Sequence, residues 1–221
     1  STVIEALRLV SLVTNRFRNL TYGTPPPQAG IPVAYVVVSP SLANFDINFD
    51  NLVHNLGDPP AVITAEFTDG EVIEVYCGGT EKLYAVIKGP SGKIVKSRTE
   101  ARGLNLVELY ILPQVAPLAR EERLLAPDYV RSHISSALAP LHFRNQLCLM
   151  PAEYDQFRRL AEETWPGLRI RELIGIGGCP GTAVGLLVED SDFVAEVAWM
   201  GHGLQMWLQT MWFLARTPRD A

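Results

Sequence analysis

The residues best placed to do chemistry are Gly201-His202-Gly203, which open the run WMGHGLQMWLQTMWFLAR near the C-terminal end. A helix beginning near Gly203 would present backbone N–H groups without intrahelical partners at the positive end of its dipole, a ready anion site. The glycines would let a phosphate approach the backbone closely. The competing reading is a plain strand-to-helix turn. Behind the glycines, Leu204, Met206, Trp207, Leu208, Met211, Trp212, Phe213 and Leu214 make the helix apolar nearly all round, so it is deeply buried or packs on a partner.

Other chemistry is sparse. KGPSGKIVKS contains Gly-Lys, but a phosphate loop needs GxxxxGK followed by Ser or Thr, and Ile94 follows Lys93; a hairpin turn is expected. GIGGCPG precedes a strand pattern and so does not fit a dinucleotide fingerprint. His54, His133, His142 and His202 are far apart in sequence, with no HExxH or GxSxG motif. Glu189, Asp190 and Asp192 suggest a metal site less than a solvated hairpin between two apolar strands. Cys77, Cys148 and Cys179 form no metal-ligand or disulfide spacing; they read as small buried residues in a reducing, cytoplasmic setting.

The elements that must position these residues follow from pattern. The 221-residue chain is 48% hydrophobic and 19% charged with net charge −5, an ordinary globular composition. Its scattered Lys and Arg argue against a dedicated DNA-binding module and against a membrane surface. No secretory leader is expected from its opening residues, and Gln205, Gln209 and Thr210 interrupt an apolar stretch already short of the ~20 residues a bilayer span needs.

Val3, Ile4, Leu7, Val10 and Val13 or Phe17 recur at helical spacing, with Ser1 or Thr2 as N-cap and Glu5 near the capping-box position. TYGTPPPQAGIP is a loop and IPVAYVVVSP a strand. Between Ala61 and Ser97, AVITAEFT, EVIEVYC, LYAVIKG and KIVKS read as an antiparallel meander whose strongest hairpin signal is Asp69-Gly70. LNLVELYILP is a further strand ended by Pro113. PLAREERL and APDYVRSHISSALAPLHFRNQLCLM read as helical, and PAEYDQFRRLAEETWPG as an amphipathic helix with Tyr154, Phe157, Leu160 and Ala161 in its stripe. LRIRELIG, AVGLLVED and FVAEVAWM are strands, and a helix runs from about Gly203 to Arg216.

MGHGLQMWLQTMWFLAR resembles the signature motif and following helix of ABC-class P-loop ATPases, the group that includes RecF-like, SMC-like and OLD-like AAA family ATPases. Met200 to Gln205 align with the pattern Leu-Ser-Gly-Gly-Gln-Gln; Gly201 stands for the serine and His202 for the first glycine, while Gly203 is kept. STVIEALRLV resembles the residues after Gly-Lys in Walker A, which would make Ser1 the Mg²⁺-binding hydroxyl and Thr2 the neighbour of the α/β-phosphates. Gln114 after YILP resembles the Q-loop glutamine that approaches Mg²⁺; a polar loop residue is the alternative.

The resemblance implies an α/β fold of the ABC type, incomplete from within Walker A to just before Walker B. One domain would span 1–221: a post-Walker A helix at 1–20, a β-rich lobe at 31–114, a helical lobe at 115–167, and strands with the signature helix at 168–221. ATP and Mg²⁺ are the implied cofactors, bound through Ser1, Thr2, Gly201, His202, Gly203 and Gln205, with Ser1 and Gln114 near the metal. A homodimer sandwiching nucleotide is the implied assembly, and DNA repair, nuclease coupling and phage defence are roles found in the group, which makes DNA a candidate partner. The fragment alone is expected to be inactive. The alternative is a non-enzymatic interaction module docking through the Trp/Met-rich helix.

Overall fold

The computed structural model describes residues 2–42, 45, 52–53, 57–78, 80–134, 136, 138–175 and 182–218. The chain divides into two compact units, 1–111 and 112–220. Helices and antiparallel sheets mix in a coarse α/β architecture, as expected, and every described strand pair is antiparallel.

In the first unit, helix α1 (Thr2–Thr14) buries Leu9, Val10, Leu12 and Val13 and exposes Val3, Ile4 and Leu7. Glu5 pairs with Arg8 one turn on, at 3.0 Å. The helix packs on a five-stranded sheet ordered β1-β2-β5-β4-β3, made of β1 (Tyr22–Gly23), β2 (Val37–Val38), β3 (Ala61–Glu66), β4 (Val72–Cys77) and β5 (Tyr84–Lys88). Alternation decides the face: Ile73, Val75 and Cys77 of β4 are buried in one cluster with Leu9 and Val13, while the residues between them stay half-exposed. The Asp69-Gly70 hairpin forms as its sequence predicts, with Gly70 at φ +91° and its N–H bonded to Phe67 O at 2.9 Å. KGPSGKIVKS also turns as a hairpin, since Gly89 N–H meets Lys93 O at 2.9 Å and Val95 N–H meets Ile87 O at 2.8 Å. A short helix α2 (Arg98–Arg102) follows, capped by Ser97.

Several expectations need correction: KIVKS contributes only an Ile94–Lys88 bridge, FVAEVAWM is strand only over Phe193–Glu196 before a 3-10 turn, and the TYGTPPPQAGIP loop holds the short strand Tyr22–Gly23. LNLVELYILP forms no strand. The Asn15 amide instead accepts from Leu109 N–H at 2.9 Å and donates to Leu109 O at 2.8 Å, taking the place of a neighbouring strand. PLAREERL is not helical: Glu122–Arg123 form strand β6, because the Glu122 side chain and backbone are both claimed by tertiary partners. IPVAYVVVSP is strand only at Val37–Val38.

In the second unit, helices α3 (Pro127–His133), α4 (Phe143–Leu149) and α5 (Pro151–Thr164) precede strands β7 (Leu168–Ile174), β8 (Ala183–Asp190) and β9 (Phe193–Glu196) and the long helix α6 (His202–Arg216). The sheet runs β6-β8-β7, with β9 also on β8. Helices α5 and α6 pack together, and Phe157 meets Phe143 and Trp212 edge-to-face at centroid distances of 6.0 and 5.9 Å. The α5 stripe is as the sequence predicts, with Phe157 and Ala161 fully buried. The GIGGCPG loop beyond Gly175, including Cys179, lies outside the described residues, as do Ser1 and His54.

Candidate functional site

The turn into α6 is built from β9 onward. Glu196 ends the strand and its carboxylate accepts from Ala198 N–H at 2.8 Å, capping a 3-10 turn over Val197–Trp199. Met200 closes that turn, and Gly201, at φ −56° and ψ 143°, is the N-cap of α6. It has no side chain to bond the first-turn amides, so those of His202, Gly203 and Leu204 are left without intrahelical acceptors. Gly201, His202 and Gly203 are exposed; burial begins abruptly at Leu204. A Cβ built at Gly201 or Gly203 would meet nothing within 4 Å. Neither glycine is required by crowding inside the chain. Gly175 makes the contrast, since a Cβ there would lie 2.4 Å from Ala183 O.

Helix α6 buries Leu204, Leu208, Met211 and Trp212 as expected, but it is not apolar all round. Gln205 and Gln209 are buried, whereas Met206 and Leu214 are exposed. The Gln205 amide accepts from Leu118 N–H at 2.7 Å and donates to Met200 O at 2.7 Å and Ala198 O at 3.2 Å. Gln209 donates to Ala116 O at 2.7 Å, and Trp212 Nε1–H to Gln146 Oε1 at 2.8 Å. Gln205 therefore faces inward, away from the exposed glycines. Gln114 is exposed, two residues before the Ala116 carbonyl that Gln209 holds. Thr2 opens α1, and its side chain, like Ser1, lies outside the described residues.

Beneath the turn lies a buried ionic network invisible to the sequence. Arg144, 1% exposed, gives Nε and Nη2 to the Glu196 carboxylate at 2.7 and 3.1 Å, Nη1 to Glu122 at 3.3 Å and Nη2 to Ala119 O at 3.0 Å. Glu122 also accepts from the backbone N–H groups of Arg144 and Asn145 and from the Asn145 amide. Two carboxylates share one guanidinium, and the remaining lone pairs meet N–H donors, which is the condition for keeping such charges out of water. Spacing offered no signal: 22 and 52 residues separate Arg144 from its two acidic partners.

Arg120 was also missed; its guanidinium lies 4.5 Å from the ring centroid of Trp199, which is 58% exposed beside Gly201. His133 and His142, distant in sequence, come to 6.4 Å between ring centroids, with Tyr129 at 4.2 and 5.4 Å from them. Burial lowers the His142 pKa, opposed by nearby Glu122 and reinforced by His133. A cleft of about 20 Å³, room for one water, lies beside α6 against Leu112, Pro113 and Val115. Gln209 Oε1 and Arg216 Nε are buried without hydrogen-bond partners among the described residues, and both residues line that cleft. Burial brings the Arg216 pKa down to about 10.

The acidic cluster is a hairpin turn, as expected: Asp190 pairs with Phe193 across Ser191-Asp192, and Glu189 pairs with Arg171. No group of three or more His, Cys, Asp or Glu among the described residues is arranged to hold a metal. Cys77 is buried in β4 with its thiol pushed up to about 11 by desolvation, and Cys148 is half-buried. No helix among the described residues is long and apolar enough to cross a membrane.

No protein-family model, curated protein or solved structure matches the chain.

Proposed function

We propose that this chain is part of an ATP-binding and ATP-hydrolysing ATPase of the ABC class, with Gly201–Gln205 as its signature turn. One observation carries the proposal: two exposed, uncrowded glycines flank His202 at an uncapped helix N-terminus whose following turns are locked into the unit. Their lack of side chains gives the fold nothing, but it opens the amides to an incoming phosphate. In this reading His202, Gly203 and Leu204 N–H groups meet the γ-phosphate of a nucleotide held by a second subunit. Ser1 and Thr2 take the places that follow the lysine in the Walker A pattern, and Gln114 takes that of the Q-loop residue. Mg²⁺ is the implied cation, with Ser1 and Gln114 as the residues the resemblance assigns to it, and it would supply charge neutralisation at the phosphates. The reaction is phosphoryl transfer to water, in which the protein positions groups and neutralises charge.

The alternative, an interaction module docking through α6, draws on exposed Met206 and Leu214. It is weakened because Met211 and Trp212 are buried in their own unit and Trp207 is half-buried. The test is ATP turnover by the full-length protein with and without Gly203→Asp. Asp is favourable to a helix at its second position, so the fold should hold; its carboxylate would repel the γ-phosphate and lower turnover at least about tenfold. Turnover unchanged by the substitution refutes the signature assignment, and a full-length protein that neither binds nor hydrolyses ATP leaves the interaction module.

A further inference from the structure

We propose that Gln205 is a positioning residue that joins the Gln114-bearing segment to the turn preceding Gly201, so that the two shift together. The inference rests on the ATPase reading only for its consequence, since both pieces would then face nucleotide. Its basis is geometric. The Gln205 side chain, 1% exposed, accepts from Leu118 N–H at 2.7 Å with Oε1. It spends both Nε2 protons on the other piece, at Met200 O, 2.7 Å, and Ala198 O, 3.2 Å. One helical turn on, Gln209 donates to Ala116 O at 2.7 Å and to Gln205 O at 3.2 Å, so residues 116–118 are held at two points along α6.

Only a primary amide has the acceptor and two donors this joint uses; Glu lacks the donors, and Met has no donor and only a weak sulfur acceptor. The far side of the joint is itself fixed. The Glu196 carboxylate holds Ala198 N–H at 2.8 Å and Leu186 N–H of β8 at 3.3 Å while Arg144 clamps it from behind. A displacement at Gln114 has only Val115 to cross before reaching the first anchored residue, with Pro117 stiffening the link to Leu118. Gly201, whose carbonyl accepts from Gln205 N–H at 3.2 Å, follows Met200 directly.

Two measurements test this. In Gln205→Met the Leu118 amide loses its acceptor and the Met200 amide, bonded to Val197 O at 3.1 Å, loses the anchor on its turn, so hydrogen exchange at both should accelerate about tenfold or more. Should that variant not fold, Gln205→Glu keeps the acceptor for Leu118 and should accelerate Met200 alone. Amides of the β7–β8 ladder should keep their protection. Acceleration at Leu118 alone, at neither amide, or equally throughout β8 overturns the joint. In the full-length protein, a double-mutant cycle of Gln205→Glu with Gln114→Ala should show coupling, the double variant turning over ATP within about threefold of the slower single variant. Losses that simply multiply overturn the coupling. A wild-type protein with no ATP turnover removes the ATPase reading instead, and the exchange measurement still decides whether the joint exists.

Discussion

Removing the Arg144 guanidinium is the sharpest perturbation the structure offers. In Arg144→Met the aliphatic stem is replaced and the charge is lost, leaving the carboxylates of Glu122 and Glu196 facing each other's territory without a cation. Glu122 is buried and keeps three N–H donors, from Arg144, Asn145 and the Asn145 amide. Glu196 loses two charge-assisted bonds, keeps Leu186 and Ala198 N–H, and has a side chain 21% exposed. Breaking a buried pair costs about 3–5 kcal/mol, and the surviving donors with that partial exposure place this case near about 3. At an unfolding entropy of about 2.1 cal/mol/K per residue, Tm for residues 112–220 should fall by roughly 13 °C. All four tryptophans lie in that unit, so their fluorescence during thermal denaturation reports it directly. Adding Glu122→Gln and Glu196→Gln should recover only part of the loss, because each removes an unpaired charge but turns an NH₂ donor toward a backbone N–H that the carboxylate accepted. A loss below about 1 kcal/mol for Arg144→Met would refute the account, since it would make the network equivalent to a surface ion pair.

Gly203→Ala should leave stability unchanged or raise it by up to about 1 kcal/mol, because alanine favours a helix and its methyl meets no neighbour; urea denaturation showing a larger loss would mean the chain itself needs the glycine. For His142 the folded pKa lies below the ordinary value of 6.5, so the unfolded chain binds more protons as pH drops through that value. Its contribution is complete above about pH 6.5 and is lost as pH falls below it. His142→Gln should flatten the stability profile between about pH 7 and 5, and an unaltered slope would remove His142 as its source.

What was legible in the sequence was local. Asp69-Gly70, the alternation of Ile73, Val75 and Cys77, and the stripe of Phe157 and Ala161 each specify their element with residues a few positions apart. The same locality placed the start of α6 within a residue of its observed start at His202. Strand propensity in LNLVELYILP was real but had no ladder to join, so a side-chain amide from Asn15 completed Leu109 instead. Glu122 read as part of a charged helix because its partners lie 22 residues on. Gln205 read as a polar interruption and as a ligand contact; its inward course depends on carbonyls and an amide that no spacing rule ties to it. Long-range polar pairing, not hydrophobic pattern, separates what was foreseen from what was not.

The strand order of the first unit also sets an order of assembly. β3, β4 and β5 close through hairpins between sequence neighbours, whereas β2 must find β5 through the Val38–Ala85 pairing across a span of 47 residues. Loop closure over that distance has an entropic cost that the hairpins largely escape. Refolding should therefore protect the amides of β4 early and those of Val37 and Val38 last, so that a refolding chain carries an open β5 edge until its β2 segment docks.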